Sequence, residues 1–477
     1  MSFDLVILGG GSGGYACALR SAQLGMKVAL IEADKLGGTC LHRGCIPTKA
    51  LLHAGEVADS ARDAHEFGVN ATFNSIDMNG VNAYKDGVIS KLHKGLQGLV
   101  KSRGITYVEG KGRLINKNTV EVNGQQYTGK NVVLATGSYA KTLPGLEIDG
   151  SKVMTSDQAL HLNYVPKSVI VLGGGVIGCE FASVWKSFGA EVTIIEGLPR
   201  LIALEDESSS KQIERAFRKR GINFEVGTKF QSHKVDSNGV TVTLENGKSF
   251  TADILLVAVG RGPVSQGLGY EEAGIKMDRG HILVDNKCRT SVPGIWAVGD
   301  LIPTLQLAHV GFQEGILVAE EIAGLNPRPI NYDGVPRVTY SEPEVASVGL
   351  STATAKERGF DVVELTYDLA GNGKANILKT AGSIKLVAAK NGPVLGIHMV
   401  GARVGELLAE AQLIFNWEAS ADDVAPLIHA HPTMSEALGE AHLALAGKPL
   451  HAHRSEEHTS ELQSHLNLVC RLLLEKK

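Results

Sequence analysis

The chain has 477 residues, 47 basic against 51 acidic side chains, and a formal charge of −4. That length suits roughly two to four domains with several buried cores, and 43% hydrophobic with 21% charged residues excludes wholesale disorder. A near-neutral charge argues against a nucleic-acid binder, no apolar run reaches the ~18 residues of a membrane span, and six cysteines are too few for a disulfide scaffold, so the expected setting is the cytosol and any disulfide there a catalytic one.

Glycine is the outlier, with 56 residues against a usual ~7%, and the chain begins to spend it at once. Phe3 to Leu8 reads as a strand. It follows Asp4 and lacks the basic stretch of a secretion signal. Gly9-Gly10-Gly11-Ser12-Gly13-Gly14 comes next, then a helical stretch, then the strand Val28 to Ile31 ending at Glu32. The first glycine of such a G-x-G-x-x-G unit makes the strand-to-helix turn, the second lets a pyrophosphate approach the backbone, and the third lets helix and strand pack closely. The helix N-terminus offers unpaired N–H groups to the anion. The carboxylate after the return strand can accept bonds from ribose hydroxyls.

Leu36-Gly37-Gly38-Thr39-Cys40-Leu41-His42-Arg43-Gly44-Cys45-Ile46-Pro47-Thr48-Lys49 follows, ahead of a helix marked by Ala50, Leu51, Leu52 and Val57. No second ligand pair with zinc spacing accompanies Cys40 and Cys45, so no metal site is expected. In a regular helix, residues five apart are roughly 8–9 Å apart, beyond the about 7 Å limit for a disulfide. A Cys40–Cys45 bond therefore needs an irregular or just-starting helix, which Gly44 and Pro47 permit. A helix N-terminus would also favour a reactive thiolate. Two unlinked core cysteines are the alternative at this stage.

The first unit then repeats. Ser168 to Leu172, Gly173-Gly174-Gly175-Val176-Ile177-Gly178, a helical stretch and Val192 to Ile195 ending at Glu196 reproduce it, with 23 positions from first glycine to carboxylate in both copies. One glycine fingerprint is weak; two with identical spacing and acidic ends predict two dinucleotide sites. Glu196 would repel a 2′-phosphate and favours NAD over NADP, although Arg200 lies close by in sequence. Near the end, His429-Ala430-His431-Pro432-Thr433-Met434-Ser435-Glu436 offers a histidine that a carboxylate could orient as a general base.

Taken together, the cysteine segment behind the first fingerprint resembles the redox motif of the flavoprotein disulfide reductases, most closely the dihydrolipoamide dehydrogenases, from about residue 3 to about residue 451. The resemblance implies an α/β fold of two Rossmann-like domains, the NAD domain inserted in the FAD domain, plus a C-terminal α+β dimerisation domain. The expected segments are 1–145 (first FAD segment), 146–270 (NAD), 271–335 (completing the FAD site), 336–452 (dimerisation) and 453–477. Its strand-like pieces in the dimerisation segment include Ser383 to Ala388 and Val394 to Val400, and its helices Arg403 to Glu418 and Ser435 to Leu445. The implied FAD site comprises Gly9, Gly11, Gly14, Glu32, Lys49 near the flavin ring, Gly112 near the adenine, Thr136 and Gly137, Asp300 on the ribityl chain, and Ala308. The implied NAD site comprises Gly173, Gly175, Val176, Gly178, Glu196, Phe230 near the adenine, and Gly260. Glu180 would pair with Lys49.

The implied reaction is oxidation of protein-bound dihydrolipoamide to lipoamide with reduction of NAD⁺, as the E3 component of 2-oxo acid dehydrogenase complexes. Cys40 would exchange with the dithiol and Cys45 would face the flavin. His431, oriented by Glu436, would serve the active site of the other protomer in a homodimer; His429 has no matching position in the motif. The implied partners are lipoyl domains of E2 subunits. Which complex they belong to, and whether a glycine-cleavage H protein shares the enzyme, stays open; nucleic acid and membrane are not expected partners. Among other flavoprotein disulfide reductases, a glutathione reductase would prefer NADPH, which Glu196 opposes. A mercuric reductase would carry a C-terminal cysteine pair where only Cys470 stands. A redox-inactive structural flavoprotein would not need Cys40, Cys45, His431 and Glu436 together. Cys17, Cys179 and Cys288 receive no role. The string Arg454 to His465 resembles translated sequencing-adapter DNA, so 453–477 reads as an artefactual tail; an amphipathic helix from Leu462 to Leu474 is the alternative.

Overall fold

The computed structural model describes residues 2–451; the tail expected at 453–477 lies outside them. The chain divides into two compact units, one of residues up to Ile202 with Phe217–Tyr332, the other of Ala203–Ala216 with Asp333 onward.

The first unit contains the same sheet twice. In the first sheet, Ser2–Leu8 lies between the parallel strands Val28–Glu32 and Gln125–Leu134, with Thr106–Glu109 beyond Val28–Glu32 and Ile295–Ala297 against Gln125–Leu134. In the second, Ser168–Leu172 lies between Glu191–Glu196 and Ile254–Val257, with Ile222–Val226 and Val153–Thr155 at the edges. The central strands are almost wholly buried runs of Val, Ile and Leu, as parallel strands covered on both faces require. Each copy also has an antiparallel three-stranded meander, continuous with the sheet in the first copy (Gly112–Asn116, Thr119–Val122 and Gln125–Leu134) and a separate sheet in the second (Phe230–Asp236, Gly239–Leu244 and Ser249–Ala252). Gly112 and Phe230 are the opening residues of the two meanders.

The second unit is a five-stranded antiparallel sheet in the order Arg337–Thr339, Glu344–Gly349, Val394–Gly401, Ser383–Ala389, Val362–Asp368. Helices Val404–Asn416 and Glu436–Leu445 contribute to its apolar core. Residues 203–216 fall within the range expected for the NAD segment, yet they group with this unit, and the reason is a buried ion network. Glu205 accepts from Arg337 (3.2 Å) and from Ser347. Asp206 pairs with Lys385 at 3.0 Å and accepts from the Thr352 N–H at 3.1 Å, and Gln212 donates to Ser383 at 2.6 Å. Glu205, Asp206 and Lys385 are all buried, and buried charges are stable only when paired in this way.

Candidate active site

Both glycine cradles are built by the same contacts. Gly9 and Gly173 have φ of +109° and +112°, where side chains are strained. A Cβ on either would stand 2.1 Å from the Ala135 carbonyl oxygen or 2.3 Å from that of Ala258. A Cβ on Gly14 or Gly178 would stand 1.8 Å from the carbonyl oxygen of Gly9 or Gly173. Glu32 and Glu196 each accept the N–H of the middle glycine, Gly10 or Gly174, at 2.6 Å, and each accepts a second N–H two residues on, from Asp34 or Leu198, at 2.8 Å. Gly11 and Gly175 are the helix N-caps and have no side-chain cap bond. Around their missing Cβ there is only Gly38 Cα at 3.8 Å for Gly11 and nothing within 4 Å for Gly175. Tight glycines on either side of an open one, at a helix N-terminus, fit a pyrophosphate.

The redox segment docks onto the first cradle. Gly37 donates to the Gly10 carbonyl at 2.9 Å, and Gly38, with φ +61°, packs so closely that its Cβ would lie 2.6 Å from Gly11 Cα. The helix Gly38–Arg43 breaks at Gly44, and a second helix, Cys45–Arg62, starts at the second cysteine. The irregularity that five-residue spacing demands is therefore present. The residues this helix buries are Pro47, Thr48, Ala50, Leu51, Gly55 and Ala58; Val57 is exposed. Both thiols are free. The hydrogen bond from Cys40 lowers the Cys45 pKa, burial opposes it, and the Lys49 ammonium lowers it further, to about 7; the same hydrogen bond, with burial, raises Cys40. Lys49 Nζ donates to both carboxylate oxygens of the buried Glu180 at 2.8 Å. Tyr15 lies close enough to both thiols to feel their charge, and burial first, then those charges, push its pKa up to about 12.

The segment after Ile295–Ala297 turns at Gly299 (φ +72°) into Asp300, and Ala308 opens the helix Ala308–Ile322. Glu314 on that helix is fully buried and ties the turn down. It accepts from the Gly299 N–H (2.6 Å), Thr304 (2.8 Å) and Tyr332 (2.9 Å). Burial raises its pKa to about 6, with these bonds opposing. Thr136 donates to the Val264 carbonyl at 2.6 Å, while Gly260 is exposed and Phe230 packs partly buried against the second sheet's core. Gly112 sits beneath Leu8, Ile31 and Val120.

In the second unit, His431 Nδ1 and Glu436 Oε1 are 2.8 Å apart, and Glu436 Oε2 accepts the Thr433 N–H at 2.7 Å. Burial raises the Glu436 pKa, but these bonds outweigh it and the carboxyl is held low. The His431 side chain is 78% exposed, whereas His429 is 13% exposed, pairs with Glu410 at 2.7 Å and packs on Gly439. Of the two neighbouring histidines, only His431 presents its ring to solvent. Tyr15, Glu314 and Tyr332 carry no motif, and only their tertiary contacts identify them.

Two dinucleotide cradles, a dithiol docked on one of them and a histidine–carboxylate pair define a pyridine nucleotide-dependent disulfide oxidoreductase. Residues 3–315 match the family described as pyridine nucleotide-disulphide oxidoreductase and residues 335–442 match its dimerisation domain, and the chain belongs to this family. Its relatives include a dihydrolipoyl dehydrogenase of Bacillus subtilis (41% identical, covering 94% of this chain and 99% of the relative) and that of Geobacillus stearothermophilus (40%, 94% and 97%). Similar solved structures include LpdA from Mycobacterium tuberculosis (TM-score 0.87, 26% identity, 92% of this chain and 99% of that one) and the HOCl-induced flavoprotein disulfide reductase RclA from Escherichia coli (0.83, 28%, 92% and 99%). FAD and NAD are the cofactors, and the cradles fit them. Among the described residues no helix is long and apolar enough to cross a membrane.

Proposed function

We propose that the chain carries out the dihydrolipoyl dehydrogenase reaction, oxidising protein-bound dihydrolipoamide to lipoamide and reducing NAD⁺ to NADH. The observation that carries this reading is the Cys40–Cys45 pair, with its low thiol at a helix N-terminus beside Lys49 and docked on the first cradle. In the oxidised enzyme a substrate thiolate attacks the Cys40 sulfur of the Cys40–Cys45 disulfide. The S–S bond breaks and Cys45 leaves as a thiolate, which the nearby Lys49 ammonium favours. The second substrate thiol loses its proton to His431, held by Glu436. The resulting thiolate attacks the substrate sulfur of the mixed disulfide, releasing lipoamide and the Cys40 thiolate, which takes up a proton. FAD, which the first cradle and Lys49 would hold, would supply the electron acceptor for the dithiol and the hydride donor for NAD⁺. Lys49, held by its ion pair with Glu180, keeps an ammonium close enough to stabilise the Cys45 thiolate.

Glu196, whose carboxylate would repel a 2′-phosphate, supports NAD⁺ over NADP⁺. The dimerisation domain supports a homodimer in which each His431 serves the other protomer. E2 lipoyl domains, with the H protein as a second carrier, are the partners this chemistry fits, and a cytoplasmic setting suits them. A steady-state assay with dihydrolipoamide tests the reading: turnover with NAD⁺ well above that with NADP⁺ supports it, and no turnover by a flavin-loaded dimer overturns it. Cys45→Ser should abolish turnover and keep FAD bound.

A further inference from the structure

The two copies of the repeat end in matching turns, Ala135-Thr136-Gly137-Ser138 and Ala258-Val259-Gly260-Arg261. In the fold these turns are tied face to face. Ser138–Ala140 pairs antiparallel with Arg261–Pro263, Lys141 N donates to the Gly260 carbonyl, and Val264 N donates to that of Gly137, each at 2.9 Å. The last residue of each turn then bonds across the ribbon. Arg261 Nε donates to Ser138 Oγ at 2.7 Å and Arg261 Nη2 to the Ser138 carbonyl at 2.8 Å. Ser138 Oγ spends its single proton on Asp300 Oδ2. The hydroxyl therefore has one charged donor and one charged acceptor, an arrangement in which each bond polarises the other. Among the described residues no donor takes Asp300 Oδ1, which leaves that oxygen for a ligand hydroxyl.

We infer that Ser138 is a positioning residue that hooks Arg261, beside the nicotinamide-side turn, to Asp300, on the flavin side, and so sets the two cofactors in one register. This rests on the FAD and NAD reading above. Hydride transfer between two bound rings is sensitive to errors of about 1 Å, and each cofactor lies in its own copy of the repeat. A bond joining the equivalent ends of both copies is where such an error is suppressed. Removing Ser138 Oγ cuts the link between Arg261 and Asp300, leaving Arg261 only its bond to the Ser138 carbonyl, so a change made on one side should be felt on the other.

The test uses purified holoenzyme carrying Ser138→Ala, Arg261→Gln, both, or Ser138→Thr. NAD⁺ affinity is read from flavin fluorescence and FAD release from the return of free-flavin emission. Coupling between sites commonly amounts to roughly 5–150-fold. Ser138→Ala and Arg261→Gln should each weaken NAD⁺ binding and each speed FAD release by about tenfold. The double variant should match the worse single, and Ser138→Thr should restore both within about twofold. Additive effects, or an Arg261→Gln enzyme with unchanged FAD release, would overturn the coupling. A wild-type protein that held FAD but did not respond to NAD⁺ would sink the parent reading and the inference with it.

Discussion

The two glycine cradles share their turns, their close approaches and their carboxylate bonds, and they differ in what lies over them. The first is roofed. Gly37 and Gly38 of the redox segment pack on Gly10 and Gly11, and the Ala308 helix presses against Gly13 so closely that a Cβ on Gly315 would meet the Gly13 carbonyl oxygen at 2.3 Å. The second has the same carbonyl, on Gly174, bonded by the Ile202 N–H at 2.8 Å, but among the described residues no glycine-lined cover, and Gly175 and Val176 are exposed. One phosphate cradle thus serves two kinetic purposes. Under a roof it suits a group that stays for the life of the enzyme; open, it suits a cosubstrate that must leave in every cycle.

The sharpest way to break this comparison is to fill the same position in each copy. Gly14→Ala forces a Cβ against backbone at 1.8 Å and should yield protein without flavin, seen as loss of its yellow visible absorbance. Gly178→Ala makes the same clash and should leave the protein yellow but unable to bind NAD⁺, with kcat/KM for NAD⁺ down by about 10³ or more, several kcal/mol of lost complementarity. Next in size, Gly38→Ala disturbs the roof alone. Backbone strain of about 1–3 kcal/mol should speed FAD release by roughly ten- to a hundredfold, with NAD⁺ affinity unchanged in titration. Glu196→Ala removes the partner of the Gly174 and Leu198 N–H groups, and steady-state kinetics should show KM for NAD⁺ rising about tenfold and the preference over NADP⁺ narrowing.

The smallest effect belongs to the roof's own carboxyl. The folded pKa of Glu314, about 6, lies above the ordinary 4.5, so folding favours the protonated form. The stability this gives is fully present below pH 4.5 and is lost as pH rises through about 6. Denaturant melts should show wild type losing about 2 kcal/mol relative to Glu314→Gln between pH 4 and pH 8; a constant difference would show that Glu314 does not titrate in this window.

The cradles were legible because their chemistry is local. Glycine positions, the 23-residue interval and the cysteine spacing survive in any reading of the chain. The strands expected at Phe3 to Leu8 and Ser168 to Leu172 from their apolar runs stand at Ser2–Leu8 and Ser168–Leu172. What was not legible depends on partners far away in sequence. Glu314 finds Gly299 only once its helix has packed, Ser138 finds Arg261 across 123 positions, and Val57 fits a helical pattern yet faces outward. His429 and His431 sit two residues apart, and only burial tells them apart.

The ion network of Glu205 and Asp206 bears on how this protein could be recombined. A chimera that took a foreign C-terminal domain from residue 335 onward would face both carboxylates with a sheet not built to neutralise them. Stranding one buried charge in this way costs about 3–5 kcal/mol. The heritable block is discontinuous. Residues 203–216 must travel with the domain they serve, although more than a hundred residues of the other unit separate them along the gene.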